Sequence, residues 1–82
     1  MKGADGMDTQ QLRTFVNLAQ TLNYAATARA LHITQPAVTQ QIENLERHLG
    51  ARLFDRNTHK VELTAAGKVF FRDCIDIVSR ID

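Results

Sequence analysis

Apolar side chains recur at helical spacing along most of this 82-residue chain, and the pattern predicts several amphipathic helices. The first is expected over about 9–21, where Asp8 has the position of an N-cap. Its apolar stripe consists of Leu12, Phe15, Val16, Leu18, Ala19 and Leu22. Asn23 then caps an alanine-rich second helix, 24–31, which is slim enough for close approach to a neighbour.

A third helix is predicted over 35–49, separated from the second by a very short link. Thr34 is its N-cap, and Pro36 falls in the first turn, where its missing N–H costs least. Gly50 follows as the C-cap. The predicted buried stripe of this helix consists of Val38, Ile42, Leu45 and Leu49.

After the third helix the period changes from helical to alternating, which predicts a hairpin of two short strands, 52–56 and 60–63, around a polar turn, 57–59. Thr64 caps a long fourth helix, 65–82. The order of elements predicts a mainly α fold: a winged helix-turn-helix, with three helices and a short β-hairpin wing, followed by a long helix.

Size and composition narrow the functional classes. A chain this short forms one domain at most, and a domain of this size has few residues to spare for lining a tight substrate pocket. No acid–base pair or nucleophile set is evident, so we expect no enzyme. The net charge of +1 neither indicates nor excludes a nucleic-acid partner. Residues 1–6 are expected to form a flexible tail. With no signal core or long apolar run, the sequence predicts a cytoplasmic protein without a membrane partner.

Three histidines and one cysteine raise the possibility of a metal site. His32, His48, His59 and Cys74 are spaced by 16, 11 and 15 residues, which matches no common zinc pattern. We therefore expect no metal ligands. His32 is interpreted as a structural hydrogen-bonding group in the turn, and Cys74 as a packing residue rather than a redox sensor.

The stretch "TQPAVTQQI" at 34–42 places polar side chains opposite the buried stripe of the third helix. Glutamine pairs with adenine in the major groove, and the N-terminal residues of a recognition helix contact base edges. On an arbitrary helix such residues are simply solvated surface. The short helix and tight turn before this helix favour a DNA-recognition role instead.

A longer set of motifs makes the sequence resemble one family. The segment "LHITQPAVTQQIENLERHLGARLFDR", with Asn23-Tyr24 before it and Leu63-Thr64-x-x-Gly67 after it, is similar to the N-terminal domain of LysR-type transcriptional regulators. The resemblance covers about 7–67. It implies a winged helix-turn-helix over 7–64, with the helix-turn-helix motif at 24–43. It also implies a dimerising linker helix, 65–82, and a C-terminal effector-binding domain that this chain lacks.

The resemblance also implies roles for individual residues. The positions expected to contact DNA are Thr34, Gln35, Pro36, Thr39, Gln40, Arg52, Arg56, His59 and Lys60. The family often has arginine where Gln40 stands, which shifts the expected base from guanine towards adenine. It often has a Thr-Arg pair where Ala25 and Ala26 stand, so a phosphate contact is expected to be lost. Arg56 has an alternative role, pairing with Asp55 or Glu62 at the surface.

The expected partners are double-stranded DNA with a pseudo-palindromic site and a second copy of the chain. Two apolar rows on the fourth helix predict the dimer contact, through Phe70, Phe71, Cys74, Ile77, Val78 and Ile81. In the alternative interpretation, the second row covers the first helix. No cofactor is expected in this fragment, and a small-molecule effector is expected only for the missing domain. The alternative function is a winged-helix protein-interaction adaptor that does not bind DNA.

Overall fold

The computed structural model describes residues 9–56 and 60–81, with side chains described as far as Asp76. The elements are α1 (Thr9–Thr21), α2 (Tyr24–Leu31), α3 (Gln35–Leu49), β1 (Phe54–Arg56), β2 (Val61–Leu63) and α4 (Ala65–Ile81). The two strands form an antiparallel hairpin in which Phe54 is opposite Leu63. The predicted mainly α winged helix-turn-helix with a long fourth helix is confirmed. The expected tail, the Asp8 cap and the turn at 57–59 lie outside the described residues.

Two predicted N-caps begin the central helices. The side-chain oxygen of Asn23 accepts a hydrogen bond from the backbone N–H of Ala26 at 2.9 Å. The hydroxyl of Thr34 likewise accepts from the N–H of Ala37 at 3.2 Å. Each cap satisfies one N–H that has no partner within its helix. Both helices therefore begin where the sequence predicts.

The turn between α2 and α3 depends on His32. Its backbone is left-handed, with φ 60°, and its N–H donates to the carbonyl of Arg29 at 3.3 Å. The N–H of Ile33 donates to the carbonyl of Ala28 at 3.0 Å. The predicted hydrogen-bonding role of His32 therefore falls on its main chain, and its side chain is exposed. The resulting turn is short enough to join the two helices as a helix-turn-helix.

The core forms around Phe15 of α1. Its ring centroid lies 5.5 Å from that of Phe54, 5.1 Å from that of Phe70 and 6.4 Å from that of Phe71. Such tilted and edge-on ring pairs add to the stabilisation from apolar burial. The fully or nearly fully buried apolar residues are Leu12, Phe15, Leu18, Ala28, Val38, Ile42, Leu45, Leu53, Phe54 and Cys74.

Leu49 departs from the prediction for α3. It was expected in the buried stripe, but 37% of it is exposed. It is the last residue of the helix, and Gly50 follows in the left-handed region with φ 72°. The chain therefore changes direction directly after Leu49, which leaves this side chain at the exposed end of the helix.

The hairpin is fastened to the start of α4, and its strands are shorter than predicted. The hydroxyl of Thr64 donates to the carbonyl of Arg52 at 2.6 Å and accepts from the N–H of Gly67 at 2.9 Å. The N–H of Thr64 donates to the carbonyl of Leu53 at 3.0 Å. These bonds connect the segment before β1 to the start of α4, and β1 itself begins at Phe54.

The first half of α4 packs on its own domain. Cys74 is completely buried, and Phe70 and Phe71 are half-buried against the core. The burial of Cys74 corrects its assignment to a dimer surface. Only part of each phenylalanine ring is accessible to a partner chain. As far as Asp76, the large apolar residues that α4 exposes are Val69, at 55%, and Ile75, at 42%. The side chains of Ile77, Val78 and Ile81 lie outside the described part.

Candidate nucleic-acid interface

The N-terminal half of α3 has two chemically distinct faces. Val38 and Ile42 on one side are completely buried, and they fix the rotation of the helix. The predicted contact residues on the other side are open to solvent, with Thr39 half-buried: Thr34, Gln35, Pro36, Thr39 and Gln40. The structure therefore brings these five positions together on two successive turns. Their amide and hydroxyl groups can donate and accept hydrogen bonds on the same surface.

The start of α3 is also electrostatically suited to an anion. Its first turn contains no acidic residue, and Pro36 occupies a position where an N–H would lack a helical partner. The remaining unpaired N–H groups and the helix dipole give this end a partial positive charge. A phosphate group beside the exposed face would be stabilised there.

Further along the same face, three side chains form a hydrogen-bonded row. The Nε2 of Gln40 donates to the Oδ1 of Asn44 at 3.1 Å. The same Oδ1 accepts a hydrogen bond from the Nη2 of Arg47. The sequence interpretation did not include Asn44, although its spacing of four and three residues from these partners is the usual signal for contact on a helix.

A buried carboxylate connects α3 to the hairpin. One oxygen of Glu46 accepts from the N–H of Leu53 at 2.8 Å and from the N–H of Phe54 at 3.3 Å. Charge-assisted bonds of this kind are stronger than neutral ones. No sequence signal indicated this role, because the partners of Glu46 meet it only in the folded hairpin. Glu46 thus fixes the hairpin relative to the exposed face of α3.

The basic residues of the hairpin have local contacts of different kinds. The guanidinium carbon of Arg56 lies 5.4 Å from the centroid of the Tyr24 ring, a cation–π distance that connects β1 to the start of α2. Burial raises the pKa of Tyr24, partly opposed by the positive charge of Arg56. The exposed Lys60 forms an ion pair with Glu62 at 3.4 Å. Arg52 donates to the carbonyl of Phe54 at 3.5 Å.

The predicted contact residues therefore form two groups, one on α3 and one on the hairpin, and His59 lies outside the described residues. Within residues 9–56 and 60–81, no three His, Cys, Asp or Glu side chains are grouped so that they could hold a metal ion. No helix of this described part is long and apolar enough to cross a membrane.

Comparison with known proteins shows the family to which this domain belongs. The family model of the bacterial regulatory helix-turn-helix proteins of the lysR family matches residues 9–68. The chain belongs to the lysR family. The match includes the whole helix-turn-helix, the hairpin and the first turn of α4, which are the elements that carry both groups of predicted contact residues.

Individual relatives agree with this assignment. The chain is 44% identical over 75 residues to the HTH-type transcriptional regulator TfdT of Cupriavidus pinatubonensis, covering 92% of this chain and 33% of that protein. It is 51% identical over 67 residues to the HTH-type transcriptional regulator ClcR of Pseudomonas putida, covering 82% of this chain and 23% of that protein. The chain thus spans a third or less of the length of these relatives.

Solved structures share the lysR-family fold. A crystal structure of a BenM_DBD/benA site 1 DNA complex superposes with a TM-score of 0.88 at 34% identity, covering 93% of this chain and 85% of that chain. A CbnR_DBD–DNA complex gives a TM-score of 0.86 at 40% identity, covering 92% and 86%. Both similarities extend over nearly all of this chain.

Proposed function

We propose that this lysR-family domain binds double-stranded DNA in a sequence-specific way, as the DNA-binding part of a bacterial transcriptional regulator. The observation that carries the proposal is the solvent-facing side of α3 with Gln35, Thr39 and Gln40, which lies opposite a completely buried stripe. A B-DNA major groove admits an α-helix, and amide side chains there hydrogen-bond to base edges. The similar BenM and CbnR domains are solved as DNA complexes, which supports the same partner here.

The hairpin would add contacts that do not depend on sequence. Arg52, Arg56 and Lys60 are exposed, and a phosphate on the backbone or beside the minor groove would compete with their local partners for these charges. The Arg56–Tyr24 contact and the bonds of Glu46 hold the hairpin in place against α2 and α3. The contribution of His59 stays a prediction.

A second copy of the chain is the other proposed partner. The exposed Val69 and Ile75 leave apolar surface on α4, and such surface is covered when two copies associate. The contributions of Ile77, Val78 and Ile81 stay predictions. Two symmetric copies would present two α3 helices to a pseudo-palindromic DNA site.

The remaining functional assignments follow from the same proposal. The relatives are transcriptional regulators, which supports a binding protein rather than an enzyme. Access to bacterial DNA implies the cytoplasm. The proposed contacts use side chains and helix ends, so this domain would need no cofactor. A small-molecule effector remains an expectation for a C-terminal domain.

Selection of bound sequences from a random DNA pool at low salt tests the proposal. We expect the wild-type chain to enrich one motif and Gln40→Ala to lose the preference at one base pair. Gln20→Ala, which removes an exposed glutamine from α1, is the matched control and should select the wild-type motif. Lys60→Ala should weaken binding to all sequences alike. No binding to any duplex would contradict the proposal and favour a protein-interaction adaptor.

A further inference from the structure

The row of side chains on α3 fixes which way the amide of Gln40 points. Arg47 has only hydrogen-bond donors, so the atom of Asn44 that faces it must be the acceptor oxygen, Oδ1. Gln40 contacts that same oxygen, so it must present its donor nitrogen, Nε2, at 3.1 Å. The orientation of the Gln40 amide is therefore determined by a guanidinium two turns further along the helix.

This orientation matters because the two ends of a glutamine amide bind different base edges. With Nε2 held by Asn44, Oε1 is the atom that Asn44 does not engage, and it is available as an acceptor. The second hydrogen on Nε2 also remains available as a donor. Adenine offers the complementary pair in the major groove, a donor at N6 and an acceptor at N7. Guanine offers acceptors at both O6 and N7, so its O6 would face an oxygen.

We propose that Asn44 is a positioning residue that holds the Gln40 amide in the orientation that selects adenine and disfavours guanine. The inference rests on the proposed function, since it concerns which base the exposed face of α3 prefers. Asn44 itself needs no contact with DNA. Its effect passes through Gln40, and Arg47 in turn fixes the orientation of Asn44.

The test compares duplexes that differ at a single base pair, namely the pair whose preference is lost in Gln40→Ala. Wild type should bind the duplex with adenine about 5- to 150-fold more tightly than the one with guanine, the usual range for one bidentate contact. Asn44→Ala frees the amide to rotate, so this ratio should fall at least about threefold. Asn44→Asp keeps acceptor oxygens between Gln40 and Arg47, so it should retain the ratio while its negative charge weakens binding to both duplexes.

Thermal unfolding checks that each variant is folded, and Arg47→Ala gives a second route to the same effect if Asn44→Ala is unstable. Arg47→Ala releases Asn44, so it should also lower the adenine-to-guanine ratio. Three results would overturn the inference: guanine or a pyrimidine preferred by wild type, an unchanged ratio in folded Asn44→Ala or Arg47→Ala, or no base preference that depends on Gln40. Failure of wild type to bind any duplex would instead overturn the proposed function.

Discussion

The third and fourth helices are both amphipathic, yet their exposed surfaces differ in chemistry. On α3 the apolar stripe is buried as far as Leu45, and the opposite face carries amide and hydroxyl groups. On α4 the buried stripe lies beside exposed apolar side chains, Val69 and Ile75. The polar surface of α3 can hydrogen-bond to base edges, whereas the apolar surface of α4 suits another protein surface. The two helices thus fit two different partners.

The largest expected loss of stability comes from removing the Phe15 ring, which packs the rest of the domain against α4. Phe15→Ala should lower the free energy of unfolding by about 3–5 kcal/mol, because Phe15 is completely buried among three other rings. Val69→Ala on α4 should cost less than about 0.5 kcal/mol, since that side chain is mostly exposed. Urea unfolding measures both. Equal losses in the two variants would mean that the packing of α4 is misassigned.

A smaller loss of stability is expected from a substitution where α4 meets the hairpin. A Cβ at Gly67 would lie 2.2 Å from the carbonyl oxygen of Leu53, so Gly67→Ala must displace backbone and should cost about 3 kcal/mol. Gly50→Ala is the matched control, because its Cβ would meet nothing within 4 Å. Its cost, about 1–2 kcal/mol, comes only from the left-handed backbone. Calorimetry should show a larger loss of stability for Gly67→Ala than for Gly50→Ala. The reverse order would contradict the close packing of Gly67 against Leu53.

The exposed apolar surface of α4 should govern self-association. We expect a concentration-dependent dimer, and Val69→Glu together with Ile75→Glu should raise its dissociation constant at least tenfold, about 1.4 kcal/mol. Gln20→Glu together with Ala30→Glu, at exposed positions of α1 and α2, adds two glutamates outside α4 and controls for added acidity. Sedimentation at about 100 μM, well above a micromolar dissociation constant, measures the effect. A wild-type chain that remains monomeric there would argue against a dimer through this surface.

The Cys74 thiol should make the free energy of unfolding depend on pH, with stability falling at alkaline pH. Burial, with a smaller effect from Asp73, raises the pKa of the Cys74 thiol to about 11. The unfolded thiol ionises near its ordinary pKa of 9.0, so the unfolded state loses its proton first. The contribution to stability is complete below that pH and falls as the pH rises towards 11, by at most about 1.4 kcal/mol per unit. Cys74→Ala should abolish this component of the pH dependence of unfolding, and an unchanged slope would contradict it.

The smallest effect on stability is expected on the exposed face of α3. Gln40→Ala should change the free energy of unfolding by less than about 0.5 kcal/mol, because the side chain is exposed and bonds only at the surface. Ile42→Ala, two residues further on, should cost about 2–5 kcal/mol, because Ile42 is completely buried. Denaturant unfolding of the pair tests the rotation of α3. A large loss for Gln40→Ala would place this side chain in the core.

Local signals explain why the helix bounds could be predicted from the sequence. Asn23, Thr34 and Gly50 act through bonds or dihedral angles within a few residues, and each begins or ends a helix as expected. The bonds between Thr64 and the carbonyls twelve and eleven positions earlier could not be predicted, because these residues meet only in the folded chain. The row through Asn44 was accessible from its spacing, whereas the partners of Glu46 required the folded hairpin.

The fourth helix shows a second limit of sequence patterns. A stripe of apolar residues indicates which face of a helix is covered, but not whether the cover comes from the same chain. Phe70 and Cys74 satisfy the same spacing whether they pack on α1 or on a partner. Only the folded domain, with Phe15 against Phe70, distinguishes the two possibilities for these residues.

The central claim, that the polar face of α3 is the DNA-contacting surface, is tested most directly by NMR. Labelled protein would be titrated with the duplex obtained by selection, while backbone and side-chain amide signals are followed. We predict that the largest shift changes occur at Gln35, Thr39 and Gln40, including the two glutamine side-chain amides. Lys60 on the hairpin should change less. Saturated binding that leaves these α3 signals unmoved would contradict the account.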